Sequence, residues 1–466
     1  MSGILVRIVL ATAGAVSLVA TASAAQQSAA RGPLQVAVLA PPSGLRDAGD
    51  VSEPHLALDP ENPSVLVAVA QTRDIVAWRS DDGGITWTGS RPLAGKSGKG
   101  GYAGGDPVVG LGPDGSALLA AVAIDRGGRC TLLNRVGAYR SADGARSFGP
   151  LAVVSQTLPL PRHFFGLPPL PTCPLPKGLA HVSNSDKPWV AIDTTNGPHR
   201  GSAYLAWTLN EEYGSRTFQT LLVAASHDGG KTYGRAVVVA PKTRTPEALE
   251  QYSQIAVRPD GTLDVVWNDV RSDRTVILHA SSTDGGASFG PPDRVYTLPP
   301  KTTPLGLVTS LAVSPAGRLA VCWSASTRPK VYLPRIGCAL SSDGGSWSSA
   351  VTPFAHGGSQ YLPAVAFEGE RLWVAAYRST AGTTRVLLTS SDDGRTFADP
   401  VVLAQRAYGR SRLCAPHPPD CAPRQRFVGD YIGAIAAPGK VWVDFVLPVA
   451  GPTTPKRVFV ATLPTA

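Results

Sequence analysis

Along most of the chain, short hydrophobic runs alternate with turn residues in a recurring order. A first run enters an apolar segment and ends in a Pro-Asp-Gly turn, as in residues 254–261. A second run is more hydrophobic and often carries an aromatic residue near its end, as in residues 264–267. A third run leads into a polar turn, and a fourth follows it. Short apolar runs separated by turn signals are typical of all-β proteins, so we expect repeated four-stranded units.

The polar turn is the most regular part of the repeat. Residues 80–87 read SDDGGITW, and the pattern is Ser-x-Asp-x-Gly-x-Ser/Thr-aromatic. Further copies lie at residues 141–148, 226–233, 282–289, 341–347 and 390–397, the fifth being one residue short. The aspartates at the third position are Asp82, Asp143, Asp228, Asp284, Asp343 and Asp392. Self-similarity at intervals of 49 to 85 residues indicates a repeat architecture.

Each copy has the chemistry of a hairpin turn. The aspartate can accept backbone N–H groups inside the turn, and the glycine permits the positive φ that a tight reversal needs. The aromatic side chain folds back onto the sheet. We therefore expect these aspartates to stabilise turns rather than to bind a ligand.

These motifs resemble the Asp boxes, or bacterial neuraminidase repeats, of the sialidase-like β-propellers. The resemblance spans most of the chain and implies a propeller whose boxes lie on the face away from the active site. It implies a structural role for all six aspartates. It also implies a function on extracellular glycans, as an exo-α-sialidase-like glycoside hydrolase or a related binding protein.

The number of repeats predicts the number of blades. The four-strand unit recurs near residues 53–94, 106–155, 186–240, 252–298, 308–354 and 361–404. It begins a seventh time at residue 427, with three strands and no polar turn. The isolated strand at residues 34–39 could supply the fourth and close the ring, which removes exposed sheet edges. We predict a seven-bladed β-propeller of four-stranded antiparallel blades; a six-bladed sialidase-type propeller is the alternative.

The N-terminus predicts export. Residues 1–24 combine Arg7, an apolar run and an Ala-Ser-Ala site, as in a secretory signal peptide. We expect residues 25–33 to be disordered and residues 34–466 to form a single β-propeller domain. The protein is then secreted and extracellular, with no membrane span once the signal is removed, and a monomer.

Six cysteines in an exported chain favour disulfide bonds. CxxC, HxxxH and HExxH spacings are absent from the sequence, so we expect neither a metal nor a cofactor. Position along the chain suggests three pairs, although the sequence permits other connectivities: Cys130 with Cys173, Cys322 with Cys338, and Cys414 with Cys421.

The charge is basic, with a formal net charge of +9 and a pI near 9.3. Runs of Lys and Arg with interleaved aromatics are absent, so nucleic acid is not the expected partner. A glycan or another cell-surface polymer suits a basic extracellular protein better.

In a propeller, the first strand of each blade lines the central channel, and its beginning lies opposite the boxes. Four residues near such beginnings are candidate catalytic groups: Glu53, Asp106, Asp430 and Tyr431. Candidate ligand-binding residues on the same face are Arg73, Arg126, Asp186, Lys187, Glu211, Asp269, Arg271, Gln360 and Arg378. Charges at loop ends are also commonly solvated or paired with one another.

A sialidase needs three arginines on the substrate carboxylate, an Asp acid/base and a Tyr–Glu nucleophile pair. The Arg-Ile-Pro-like motif that carries the first arginine has no match between Leu34 and Arg79. The catalytic set therefore does not transfer to this sequence. Two functions remain open, a glycoside hydrolase and a non-catalytic module that binds glycan, cell-wall polymer or protein. Two carboxylates about 5–10 Å apart in one pocket favour the hydrolase, and scattered, mutually paired charges favour the module.

Overall fold

The structure is a computed structural model. It describes residues 7–10, 16–20, 32–41, 51–72, 75–90, 102–103, 105–126, 131–156, 160–161, 182–213, 216–245, 252–271, 274–300, 309–326, 333–355, 357–380, 382–407, 428–450 and 454–465. Within these ranges the regular secondary structure is entirely β-strand, arranged in seven antiparallel sheets. The chain is a seven-bladed β-propeller, which confirms the predicted fold class.

The first four blades follow one another along the chain. Blade 1 consists of Ser52–Leu58, Leu66–Gln71, Ile75–Ser80 and Thr88–Ser90. Blade 2 consists of Tyr102–Ala103 with Val108–Leu111, then Ala117–Arg126, Thr131–Ser141, and Leu151–Gln156 with Leu160–Pro161. Blade 3 consists of Val182–Ile192, Ala203–Tyr213, Arg216–Ser226 and Val237–Thr245. Blade 4 consists of Ser253–Val257, Leu263–Val270, Thr275–Ser282 and Asp293–Thr297.

The last three blades complete the ring. Blade 5 consists of Thr309–Val313, Leu319–Ala325 and Arg335–Ser341, and Val351 bridges to Cys338 where a fourth strand would lie. Blade 6 consists of Ser359–Glu368, Arg371–Thr380, Thr383–Ser391 and Val401–Ala407. Blade 7 consists of Gly433–Ala437, Lys440–Pro448, Lys456–Pro464 and, from the N-terminus, Leu34–Val38.

The N-terminal strand closes blade 7 as predicted. It pairs antiparallel with Lys456–Pro464, and Val38 lies opposite Phe459. The six-bladed alternative is wrong, because residues 433–464 form the inner strands of a full blade rather than an appended hairpin. Two more strands, Arg7–Leu10 and Val16–Ala20, extend the same sheet outward. Cleavage at the predicted signal site would remove them and leave the four-stranded blade.

The core lies between the blades. Second strands are buried along nearly their whole length, as in Leu263–Val270, because neighbouring blades cover both faces of each sheet. Trp207 and Trp267 occupy the fifth position of their second strands and are about 1% exposed. Truncation of such a side chain typically costs about 3–5 kcal/mol, so these aromatics fix the packing of adjacent blades. No helix in the described part of the chain is long and apolar enough to cross a membrane.

The Ser-x-Asp turns have the expected hydrogen bonds. In the first turn, the Ser80 hydroxyl donates to Asp82 Oδ1 at 2.8 Å, and the Thr86 backbone N–H donates to the same atom at 2.9 Å. Hydrogen bonds from Ser288 and Ser282 lower the pKa of Asp284 to about 2 in the fourth turn. Similar bonds form around the aspartates at positions 143, 228 and 343.

The sixth turn is shifted by one residue from the predicted register. The Ser391 hydroxyl and the Thr396 backbone N–H donate to Asp393, at 2.9 and 2.7 Å. Asp392, which the sequence pattern assigned to the turn, is exposed and pairs with Arg371 at 2.7 Å. In this short form only three residues separate the aspartate from the aromatic, as in the fifth turn, whereas four separate them in the first turn.

Contacts with the preceding blade show that the turns share one end of the propeller. Arg79 of blade 1 donates to the carbonyl oxygen of Gly144, and Arg140 of blade 2 donates to that of Gly229. Trp442 of blade 7 donates in the same way to Gly83 at 2.9 Å. We call this end the lower face, and the opposite end, where the first strands begin, the upper face.

One predicted disulfide is formed. Cys322 and Cys338 are directly opposite on the second and third strands of blade 5 and are bonded to each other. Disulfide bonds are typical of exported proteins. The other two expected pairs, Cys130 with Cys173 and Cys414 with Cys421, lie outside the described residues.

Candidate functional site

Four blades carry a residue with an unusual backbone conformation in or just before their first strand, toward the upper face. Positive φ occurs at Glu53 (54°), Asp106 (56°), Lys187 (50°) and Leu362 (50°), and each of these residues directly precedes a proline. Such conformations are uncommon outside glycine, cost about 1–3 kcal/mol each and cluster at functional sites. A shift in strand register accompanies three of them, so a bulge redirects the side chain.

Three of these strained residues meet Asp430 in one buried cluster. The Lys187 ammonium lies 2.5 Å from Asp106 Oδ1, 2.5 Å from Asp430 Oδ2 and 3.5 Å from Glu53 Oε1. One oxygen from each carboxyl group lies within 4.8 Å of the other two. All four residues are at most 7% exposed. Charged side chains are almost never buried to this extent unless they are paired.

The backbone of blades 1, 2 and 7 holds the carboxyl groups in place. The Asp106 N–H donates to Glu53 Oε2 at 3.1 Å, and the Glu53 N–H donates to the Val428 carbonyl at 3.2 Å. A β-carbon on Gly429 would lie 2.2 Å from the Glu53 nitrogen, and its φ is +113°. Only glycine therefore allows blade 7 to approach blade 1 closely enough to bring Asp430 beside Glu53.

The three carboxyl groups have different electrostatic environments. Burial raises the pKa of Glu53 well above its ordinary value, the charge of Asp106 raises it further, and Lys187 opposes both. The two aspartates have the shorter contacts with the ammonium. The arrangement therefore favours the protonated form of Glu53, which is the form that a general acid requires.

Tyr431 enters the same region but has a packing geometry. Its hydroxyl donates to the Pro107 carbonyl at 3.1 Å, and burial followed by the charge of Glu53 raises its pKa well above 10. Its ring lies edge-on to Trp189, with centroids 5.5 Å apart. An engaged hydroxyl with a raised pKa does not favour a nucleophilic role. Strand alternation does not separate Tyr431 from Asp430, because both precede the strand that begins at Gly433.

A small pocket adjoins the cluster. Its volume is about 10 Å³, room for about one water molecule, and its lining includes Lys187, Trp189, Tyr252, Gln254 and Tyr431. The Lys187 ammonium lies 5.6 Å from the centre of the Tyr252 ring.

Three site residues were not predicted from the sequence: His55, Trp189 and Tyr252. His55 is neutral, because burial lowers its pKa to about 3, and its Nδ1 accepts the Val109 N–H at 3.3 Å. Its ring packs edge-on against Trp189, with centroids 5.0 Å apart. The signal that could have found His55 and Trp189 is the repeated charged-residue–proline pair, because each aromatic residue directly follows such a pair.

The remaining candidates do not join the cluster. Glu211 pairs with Lys242 at 2.8 Å, and Asp269 pairs with Arg271 at 2.8 Å, both at the upper end of their blades. Gln360 is fully buried and donates to the Ala355 carbonyl at 2.9 Å.

The last four candidates differ in how much the structure describes. Asp186 is half-buried and accepts the backbone N–H of Lys187 at 3.0 Å. Arg126 lies in a described strand, but its side chain is not among the described groups. Arg73 lies outside the described residues. Arg378 lies on blade 6, away from the cluster.

No protein-family profile and no curated protein sequence matches the chain. A protein of unknown function from Dyadobacter fermentans is similar in structure, at 13% identity and a TM-score of 0.47, over 90% of this chain and 96% of that one. The GH93 α-L-arabinofuranosidase of Fusarium graminearum is similar at 12% identity and a TM-score of 0.47, over 91% of this chain and 95% of that one. The NanB sialidase from Streptococcus pneumoniae is similar at 11% identity and a TM-score of 0.41, over 91% of this chain and 70% of that one. At these values the matches assign neither an activity nor a substrate to this chain.

Proposed function

We propose that this chain is an exported glycoside hydrolase that acts on extracellular glycans through Glu53, Asp106 and Asp430. The observation that supports the proposal is the convergence of three buried carboxyl groups, two of them on strained backbone, beside a small cavity with aromatic walls. Burial and strain of this kind destabilise the fold, and they are concentrated where function requires them.

The proposed chemistry gives Glu53 and one aspartate different roles. Protonated Glu53 would donate its proton to the glycosidic oxygen as the bond to the anomeric carbon breaks. An aspartate carboxylate, Asp106 or Asp430, would attack that carbon and form a glycosyl ester. Water would then hydrolyse the ester while Glu53, now ionised, accepts its proton. Retaining hydrolases place their two carboxyl groups about 5–5.5 Å apart, and the closeness of these oxygens suits that mechanism better than the wider inverting geometry.

The test is turnover of a panel of sialosides, arabinosides and polysaccharides by the purified protein. We expect Glu53→Gln to lower kcat/KM by about 10²–10⁴-fold, because the general acid is lost. Glu211→Gln is the matched control, since it makes the same Glu-to-Gln substitution in a carboxyl group that pairs with Lys242 away from the cluster and should leave turnover unchanged.

The pH profile gives an independent readout. Because Glu53 must be protonated, activity should fall as the pH rises through its raised pKa, and the Glu53→Gln variant should lack this limb. Absence of turnover on the whole panel by the unmodified protein would contradict the proposal.

The second candidate is a module that binds glycan without cleaving it. The observation that favours it is the mutual pairing of the cluster, because Lys187 is already engaged by Asp106 and Asp430. Calorimetric titration with the same oligosaccharides separates the two. Binding without hydrolysis, equal in the native protein and the Glu53→Gln variant, would support the module.

A further inference from the structure

Charges are segregated between the two faces of blades 5 and 6. Within the described parts of these blades, every acidic residue lies at the lower face: Asp343, Glu368, Glu370, Asp392, Asp393 and Asp399. Four arginines lie at the upper face: Arg335, Arg378, Arg385 and Arg406. These blades thus present a basic upper surface with no described carboxylate of their own, which we call the arginine patch.

The patch contains a like-charge pair that the fold itself does not require. Arg378 and Arg385 are directly opposite on neighbouring strands of blade 6, so both side chains leave the same face of the sheet. Like charges in this position are destabilising. Burial, and then the charge of Arg385, lowers the pKa of Arg378. The Nε of Arg378 is buried and has no hydrogen-bond partner.

The other contacts in the patch are to neutral groups. Arg385 donates to Gln405 Oε1 at 2.7 Å, and Arg335 donates to the Gly358 carbonyl. Arg406 donates to the Pro448 carbonyl at 3.1 Å and covers the Phe459 ring. Neutral acceptors orient these guanidinium groups but leave their positive charges uncompensated. A bound anion would remove the repulsion between Arg378 and Arg385 and would accept the free Nε–H.

The structure assigns the arginine patch as a binding surface for an anionic polysaccharide that carries carboxylate or sulfate groups. Arg378, Arg385 and Arg406 lie on the second, third and fourth strands of blade 6, and Arg335 lies on the third strand of blade 5. Arg406 leaves the opposite face of its sheet from Arg385, so the patch offers separate charges to a polymer rather than one grip on a single group. The patch shares the upper face with the Glu53 cluster, where it would hold an extended glycan beside the candidate active site. The choice of polysaccharide over another polyanion rests on the proposed function.

The test measures binding to immobilised dextran sulfate and polygalacturonate by biolayer interferometry at several salt concentrations. We expect Arg378→Gln/Arg385→Gln to weaken binding by about tenfold or more, since a charge-assisted hydrogen bond contributes on that scale. The salt dependence should become shallower in this variant, because fewer counter-ions are displaced. Uncharged dextran should not bind to either protein.

The matched control is Arg235→Gln/Arg395→Gln. It removes the same two positive charges from exposed positions at the lower face. Its affinity should stay within about twofold of the native protein, given screening at physiological salt. Equal weakening in both double variants would overturn the proposal, because net charge alone would then explain binding. If thermal unfolding shows that the double variant is unstable, Arg385→Gln and Arg385→Lys are compared instead, because only the second keeps the positive charge. Equal affinities of these two variants for the polymer would also overturn the proposal.

Two outcomes separate this inference from the proposed function. Glu53→Gln should retain full affinity for the anionic polymer while losing turnover, and loss of its affinity would place the polymer in the cluster rather than on the patch. Duplex DNA is the competing polyanion. Binding of DNA as tight as that of dextran sulfate, with the same loss in the Arg378→Gln/Arg385→Gln variant, would overturn the assignment to polysaccharide.

Discussion

Replacement of Lys187 with methionine tests whether the buried cluster is a working electrostatic unit. Methionine has nearly the length of lysine, so the change removes the ammonium and keeps most of the packing. In the native protein the ammonium lies 2.5 Å from one oxygen of Asp106 and 2.5 Å from one of Asp430. The variant leaves three carboxyl groups facing one another in a site that water barely reaches.

The expected loss follows from these distances. At an effective dielectric constant of about 20, unit charges separated by 2.5 Å attract by about 7 kcal/mol, and the cost of burying the ions offsets much of this. Removal of one partner from a buried ion pair typically costs about 3–5 kcal/mol. The loss should depend on pH. Lys187 lowers the pKa of Glu53, so its removal raises that pKa further above the ordinary value of 4.5.

A raised carboxyl pKa in the folded state destabilises the fold only where the unfolded chain is ionised. The deficit of the Lys187→Met variant should therefore be larger at pH 7 than at pH 4. Urea unfolding, followed by tryptophan fluorescence at both values, measures it. Lys242→Met is the control: its side chain is 39% exposed and pairs with Glu211, so the loss should be below about 1 kcal/mol. A loss at Lys187 as small as that at Lys242, or a larger loss at pH 4, would refute the reasoning.

Two further predictions concern single carboxylates. Asp393→Ala should lower the melting temperature by several degrees, because it removes the carboxylate that accepts the hydrogen bonds of the sixth turn. Asp392→Ala should leave the melting temperature nearly unchanged, because that side chain is exposed. Calorimetry that shows the larger loss for Asp392→Ala would favour the register predicted from the sequence. Asp444 is fully buried, and burial raises its pKa from 3.8 to about 7. Ionisation of Asp444 therefore lowers the free energy of unfolding. The loss is close to zero below pH 4 and reaches about 4 kcal/mol above pH 7. Asp444→Asn should match the native protein in urea unfolding at pH 4 and exceed it at pH 8, and equal midpoints at pH 8 would contradict this.

The sequence predicts this fold well because each blade repeats its own local chemistry. The Ser-x-Asp turn is formed by hydrogen bonds between residues at most four positions apart, so its pattern is visible without any knowledge of tertiary contacts. The same locality explains the error at Asp392. Two adjacent aspartates both fit the pattern, and only the backbone geometry of the shorter turn selects Asp393.

The site was predictable in its charged residues and in Tyr431, but not in His55, Trp189 and Tyr252. Glu53 and Asp430 are far apart in sequence but begin equivalent strands, so the repeat places them at the same end of the channel. Trp189 and Tyr252 carry no such mark, because a large aromatic residue near a strand start is equally compatible with the core. The orientation of Tyr431 depends on a bend before its strand, which hydrophobic alternation does not reveal.

The pairing of Val38 with Phe459 brings two strands that lie more than 400 residues apart in sequence into one sheet. A chain still emerging from a ribosome or a translocation pore can form its middle repeats but cannot complete the circle. Completion must be a late event in folding, and a slow one, because strands so distant in sequence must find each other. A premature stop codon in the seventh blade would leave the N-terminal strand Leu34–Val38 without its partner strand. A circular permutation that places new termini between other blades should be tolerated.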